Sequence, residues 1–192
     1  FEQAHLYTDL AGELATQNVA VLRLLLAVLH TVFSRVDEHG EEAPIEETDH
    51  ALDRWGALWN KNSFPIEPIK AYLHTQHEKF WLFHPERPFG QALSAAKGTP
   101  YSVSKLIGEL SESSNRICFF SSRMGKNKTE ISYAEAARWL IYVNGFDDNS
   151  SKPKGKNLPS PGAGWLGKLG LITAKGKTLF ETLMLNLVFL KE

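Results

Sequence analysis

The chain has 192 residues, 43% of them hydrophobic and 22% charged, with a formal net charge of -1. Those proportions fit an ordinary globular domain and exclude collagen-like, low-complexity and wholly disordered chains. The single cysteine, Cys118, has no internal partner, so the expected fold is held by its core alone and the expected location is the cytoplasm.

The opening residues, FEQAHLYTDL, carry no basic region or small-residue cleavage site, so no signal peptide is expected. The apolar run at residues 19–33 is interrupted by Arg23 and His30. It falls short of the roughly 20 residues that a bilayer requires, and no membrane partner is expected. A start at Phe1 and a stop inside the apolar pattern TLFETLMLNLVFLKE together predict a piece of a longer protein.

The first helix is predicted over residues 15–39, with an apolar side broad enough to be nearly surrounded by protein. A second helix fits 46–60, with Leu52, Trp55, Leu58 and Trp59 on one face, and a third fits 65–79, with Ile66, Ile69, Leu73 and Phe80 inward. In FWLFHPERPFGQ, Pro85 and Pro88 force an extended, turning path, and Phe80, Trp81, Phe83 and Phe89 are expected in the core. A short helix over 103–110 is followed by a strand at 116–122 (RICFFSS) and a basic loop, RMGKNK. Thr129 or Ser132 is expected to cap a helix over 133–144. Residues 145–170 form a long loop dense in Gly, Pro, Ser and Lys, a length that marks functional loops, and a last helix begins near Thr178. The expected fold class is α+β: a single, predominantly helical domain with a small mixed or antiparallel sheet.

Charge falls in blocks. From Asp37 to Arg54 there are eight acids against Arg54 alone, a net of -7, while residues 123–177 hold ten bases and four acids, a net of +6. Bases on Gly/Pro/Ser loops suit phosphate contacts, whereas the acidic block would repel DNA and should face solvent or a basic protein.

No catalytic motif survives inspection. Gly162 to Lys168 has the GxxxxGK spacing, but Leu169 replaces the Ser or Thr that would hold magnesium; Gly176-Lys177-Thr178 has Leu171 where the first glycine belongs. His74 and His77 lack further ligands at a fixed spacing, the adjacent Asp147 and Asp148 read as a solvated turn, and no nucleophile elbow is present. No enzyme activity, metal or cofactor is expected.

Five strings in order carry a resemblance: FWLFHPERPFGQ, SSNRICFFSS, YAEAARWLIYVNGFD, a Gly/Pro/Ser-rich loop, and TLFETLMLNLV. Together they resemble the CasA family, the large subunit of the type I-E CRISPR surveillance complex Cascade. The resemblance implies a fragment of the family's N-terminal domain, with the C-terminal helical bundle absent. It implies a non-catalytic protein that touches the guide RNA handle, binds duplex DNA at the protospacer-adjacent motif, joins other Cascade subunits and helps recruit a helicase-nuclease. Base pairing would read the target itself. Some members carry a CxxC zinc pair in the region matching residues 129–137; this chain has none there.

The same resemblance places a nucleic-acid contact at Phe119, Phe120, Ser121 and Ser122, with strand alternation burying one of the two rings. It puts a minor-groove loop at Gly155, Gly162 and Gly164. Lys126, Lys128, Lys152, Lys154, Lys156 and Lys168 complete the candidate nucleic-acid surface as phosphate contacts. The alternative is a protein-interaction or assembly subunit whose basic loops are merely solvated.

Overall fold

A computed structural model describes residues 1–98, 100–110, 118–146 and 164–189. Its helices are α1 (Ala15–Phe33), α2 (Thr48–Lys61), α3 (Ile66–Thr75), α4 (Val103–Leu106), α5 (Tyr133–Phe146), α6 (Trp165–Lys168) and α7 (Leu179–Asn186). Single 3-10 turns lie at His77–Phe80, Leu93–Lys97 and Gly125–Lys128. The chain packs as two compact units, one drawn from Phe1–Ala11, Leu22–His77 and Ile172–Glu192, the other from Gly12–Val21 and Glu78–Leu171.

The first unit is organised by aromatic packing. Phe64 lies between Phe33, at 6.2 Å, and Phe180, at 4.8 Å, and Phe1 meets it edge-on. Leu29, Phe33, Leu58, Ile69, Phe180, Leu183 and Met184 are all buried around them. By length and apolar content α1 would suit a membrane. Its side chains Val28, Leu29, Val32 and Phe33 are buried against protein in this fold. α7 is started by two devices. The Thr178 hydroxyl accepts from the N–H of Glu181 at 3.2 Å, and the N–H groups of Leu179 and Phe180 donate to the carbonyls of Tyr7 and Ala4. Those bonds satisfy donors that the first helical turn leaves orphaned.

α1 stops at Phe33, six residues before its predicted end at 39. The reason is Arg54 on α2, a buried residue whose guanidinium donates to the carbonyls of Phe33 at 2.7 Å, Ala43 at 2.8 Å and Val36. A cation over the last carbonyls of a helix replaces the missing intrahelical partners. The chain beyond then turns tightly, with the Asp37 carboxylate accepting from the N–H groups of His39 and Glu41, and Gly40 at φ +92°. The turn is closed by an isolated antiparallel bridge between Val36 and Glu42.

The second unit centres on Ile107, Leu110 and Trp139, with Leu14, Val103, Leu106, Cys118, Ile131 and Tyr142 packed around them. Ser132, rather than Thr129, caps α5 in a reciprocal pair: its hydroxyl accepts from the N–H of Glu135, whose carboxylate accepts from the N–H of Ser132 at 2.8 Å. α5 extends two residues past its expected end, and α6 is a helical turn inside the stretch expected to be loop.

The expected α+β class is overturned, because among the described residues there is no strand and the fold is helical. The strand predicted at 116–122 is absent over Cys118–Ser122, while Arg116 and Ile117 lie outside the described residues. A strand needs a neighbour for its N–H groups. Here the N–H of Ser122 donates to the Glu109 carboxylate and that of Arg123 to the Ser121 hydroxyl, so the backbone turns instead of pairing.

The aromatic proline segment also differs from expectation. Phe80 and Phe89 pack ring on ring at 5.7 Å, and the N–H of Phe89 donates to the carbonyl of Trp81. Trp81 and Phe83, expected inside, are exposed, with Phe83 edge-on to Tyr133 at 5.2 Å.

Candidate nucleic-acid interface

The two adjacent rings at the centre of the candidate surface both face solvent, Phe119 at 88% exposed and Phe120 at 94%. Burial of one of them, expected from strand alternation, does not occur because the segment turns. Met124, just beyond, is exposed as well. Bare rings so close in sequence gain nothing from packing, so the neighbouring residues must hold the backbone beneath them.

Glu109 does much of that holding. Its Oε1 accepts from the Ser122 hydroxyl at 2.8 Å, the Ser122 N–H at 3.1 Å and the Ser121 hydroxyl at 3.3 Å. Arg123, buried immediately afterwards, donates from Nε to Glu13 at 3.0 Å, from one terminal nitrogen to Glu135 at 3.3 Å and from the other to the carbonyl of Asn127 at 3.1 Å. Its Nε lies 3.9 Å from the other oxygen of Glu109. Beside this cluster is an open polar cleft of about 390 Å³, lined by Glu13, Arg123, Asn127, Glu130, Glu135 and Arg138.

These contacts shift the carboxylates. The Ser122 hydroxyl, chiefly, holds Glu109 below the ordinary carboxylate range, and the Ser132 N–H does the same for Glu135. A folded-state pKa below the unfolded one means that the unfolded chain takes up protons first. The contribution to stability is therefore complete above about pH 4.3, the unperturbed glutamate value, and is lost as pH falls through the lowered values. Tryptophan fluorescence followed in an acid titration, with Phe substituted at the other four tryptophans so that buried Trp139 reports, should show the fold loosening below that range, and Glu109→Gln should flatten the part of the transition due to Glu109.

The charge block predicted as one basic face is divided. Arg123 is neutralised by its carboxylates, and Lys175 pairs with Asp9, which lies below its ordinary pKa chiefly because of that bond. Lys126 and Lys128 share the 3-10 turn after Met124, with Lys126 exposed and Lys128 half-buried. Lys168 is exposed at the end of α6. Gly164 has a packing role: a Cβ there would stand 2.3 Å from the carbonyl oxygen of Gly145, so glycine lets α6 approach α5. Lys152, Lys154, Gly155, Lys156 and Gly162 lie outside the described residues.

The structure thus brings Phe119, Phe120, Ser121, Ser122, Lys126 and Lys128 onto one segment of one unit. Sequence reading missed Glu109 and Glu13 as its supports. Arg123 lies 110 residues from Glu13 along the chain, a separation no local pattern reports.

The comparisons agree with this architecture. The family model for CRISPR-associated protein Cse1 matches residues 1–192. The chain is 33% identical over 189 residues to the CRISPR-associated protein CasA/Cse1 of Thermus thermophilus, covering 97% of this chain and 34% of that protein. It is similar to the crystal structure of Thermobifida fusca Cse1, with a TM-score of 0.75, 32% identity and coverage of 98% and 34% of the two chains. At 22% identity it shares its fold with a chain of a CRISPR RNA-guided surveillance complex in a pre-nicking state, with a TM-score of 0.69 over 97% of this chain and 37% of that one. The chain therefore spans about a third of the length of these relatives. A match along its whole length, with a third of its residues identical to a curated relative, leaves one assignment: the chain belongs to the Cse1 (CasA) family of CRISPR-associated proteins.

Proposed function

We propose that this chain is part of the non-catalytic large subunit of a cytoplasmic CRISPR RNA-guided surveillance complex. In that complex it contacts the guide RNA handle and the duplex DNA at the protospacer-adjacent motif. The observation that carries the reading is the bare Phe119–Phe120 pair, 88% and 94% exposed, on a turn braced from below. Aromatic faces presented this way stack on unpaired bases or wedge at the edge of a duplex. Lys126, Lys128 and Lys168 supply charge for phosphates, while Lys152, Lys154 and Lys156 are assigned from the basic pattern of the sequence and Gly155 and Gly162 from the family resemblance. Base pairing with the guide would select the target, and the subunit would join other Cascade subunits and help recruit a helicase-nuclease.

A photoreactive benzoylphenylalanine at position 119 or 120 tests this in the full-length subunit, assembled with its guide and partner subunits. Irradiation should give adducts to guide RNA or target DNA. Adducts to protein subunits alone would overturn the reading in favour of an assembly role.

A further inference from the structure

We infer that Glu109 is a positioning residue for nucleic-acid binding, holding the Phe119–Phe120 turn in its binding conformation through its bonds to Ser121 and Ser122. This rests on the reading above and deepens it, since Glu109 would touch no nucleic acid itself.

The argument begins with what holds the turn. Before it, Cys118 packs against the core of the second unit; after it, Arg123 is buried among carboxylates. Between those anchors the two rings are almost wholly exposed and contribute no packing of their own. Three hydrogen bonds converge from Ser121 and Ser122 on the single Oε1 of Glu109, joined by a contact from Cys118 Sγ to the carbonyl of Phe120 at 3.0 Å. The backbone that carries Glu109 is anchored by its buried neighbours Ile107, which is 0% exposed, and Leu110, at 3%. A rigid acceptor at the base of a bare turn removes ordering that binding would otherwise have to supply.

Of the three carboxylates around Arg123, Glu109 is the one that bonds the phenylalanine turn. Glu13 and Glu135 accept directly from the guanidinium, at 3.0 Å and 3.3 Å, whereas Glu109 stands off at 3.9 Å. Neutralising Arg123 therefore falls mainly to the other two, and Glu109 is spent on the loop.

A double-mutant cycle on the full-length subunit in its assembled complex separates the possibilities, with affinity measured for guide-matched duplexes bearing a randomised flanking motif. Glu109→Ala should weaken binding about tenfold, the scale of ordering a short segment on association. Phe119→Ala/Phe120→Ala should weaken it about thirtyfold or more. Combining all three should be no worse than the phenylalanine pair alone, since a residue that acts through the rings has nothing left to position. Glu109→Gln keeps an acceptor oxygen and should recover most of the affinity, which a role confined to the charge of Arg123 would not allow. Where Glu109→Ala lowers the melting temperature, Ser121→Ala/Ser122→Ala removes the two hydroxyl bonds from the other side while the Ser122 N–H bond stays, and should give a smaller loss with the same coupling to the rings.

Normal binding by the phenylalanine variant would overturn the proposed function itself. Weak binding by that variant with no effect of Glu109→Ala, a loss that adds in full in the triple variant, or no recovery by glutamine would overturn the positioning role and leave the function standing.

Discussion

Replacing Arg54 with methionine is expected to cost the chain about 3–5 kcal/mol of folding stability, the range seen when a buried polar hub loses its donors. The guanidinium satisfies three carbonyls at once, those of Phe33, Val36 and Ala43, and methionine would leave all three without that donor. A buried acceptor left unpaired, as at Phe33, costs about 1–3 kcal/mol, the part-buried carbonyls of Val36 and Ala43 cost less, and removal of a charge whose burial is itself unfavourable offsets part of the loss. Burial lowers the Arg54 pKa while the nearby carboxylates of Asp37 and Glu38 raise it, so the site both strains and stabilises the cation. Lysine keeps the charge but loses the planar fork and should recover only part of the stability. Urea denaturation of the three forms measures the effect, and a loss below about 1 kcal/mol for methionine would show that the carbonyls find other donors.

The same residue shows what a linear reading overlooks. In the charge pattern Arg54 is only the lone base beside eight acids. In the fold it ends α1, spans the turn that follows and connects both to α2. Helices were legible wherever local chemistry decides them. The extents of α2 and α3, the Ser132 cap of α5 and the Thr178 start of α7 stand close to where the residues place them, although Leu52, expected on the apolar face of α2, is 67% exposed. The errors arose where a distant partner decides the outcome. RICFFSS has the apolar density of a strand, yet a carboxylate 13 residues away takes its donors and bends it. Phe83 and Trp81 have the size of core residues, but Pro85 and Pro88 turn the segment so that Phe80 packs on Phe89 while Trp81 and Phe83 stay exposed, edge-on to His84 and Tyr133.

The candidate site divides along the same line. Phe119 and Phe120 were identifiable from family resemblance, and strand reasoning then hid one of them. The brace beneath them was invisible, because Glu13, Glu109, Arg123 and Glu135 meet only in the fold. The count of ten bases overstated the charge free for phosphates, since Arg123 and Lys175 are already engaged by carboxylates.

Removing both rings is the second large effect. With 88% and 94% of their surface already in water, Phe119→Ala/Phe120→Ala should change stability by less than about 0.5 kcal/mol, as surface substitutions do. Binding should respond very differently. Stacking on an aromatic side chain is worth about 1–3 kcal/mol per base, so two rings in contact account for about 2–6 kcal/mol, a loss of thirtyfold or more. Such a split between stability and affinity marks a surface kept apolar for a partner rather than for the fold.

The decisive measurement is the affinity of the assembled complex for a guide-matched duplex, with this double variant set beside the unaltered subunit. The account predicts at least about a thirtyfold loss at an unchanged melting temperature. Equal affinities would contradict it and leave the two phenylalanines without a role in grasping nucleic acid.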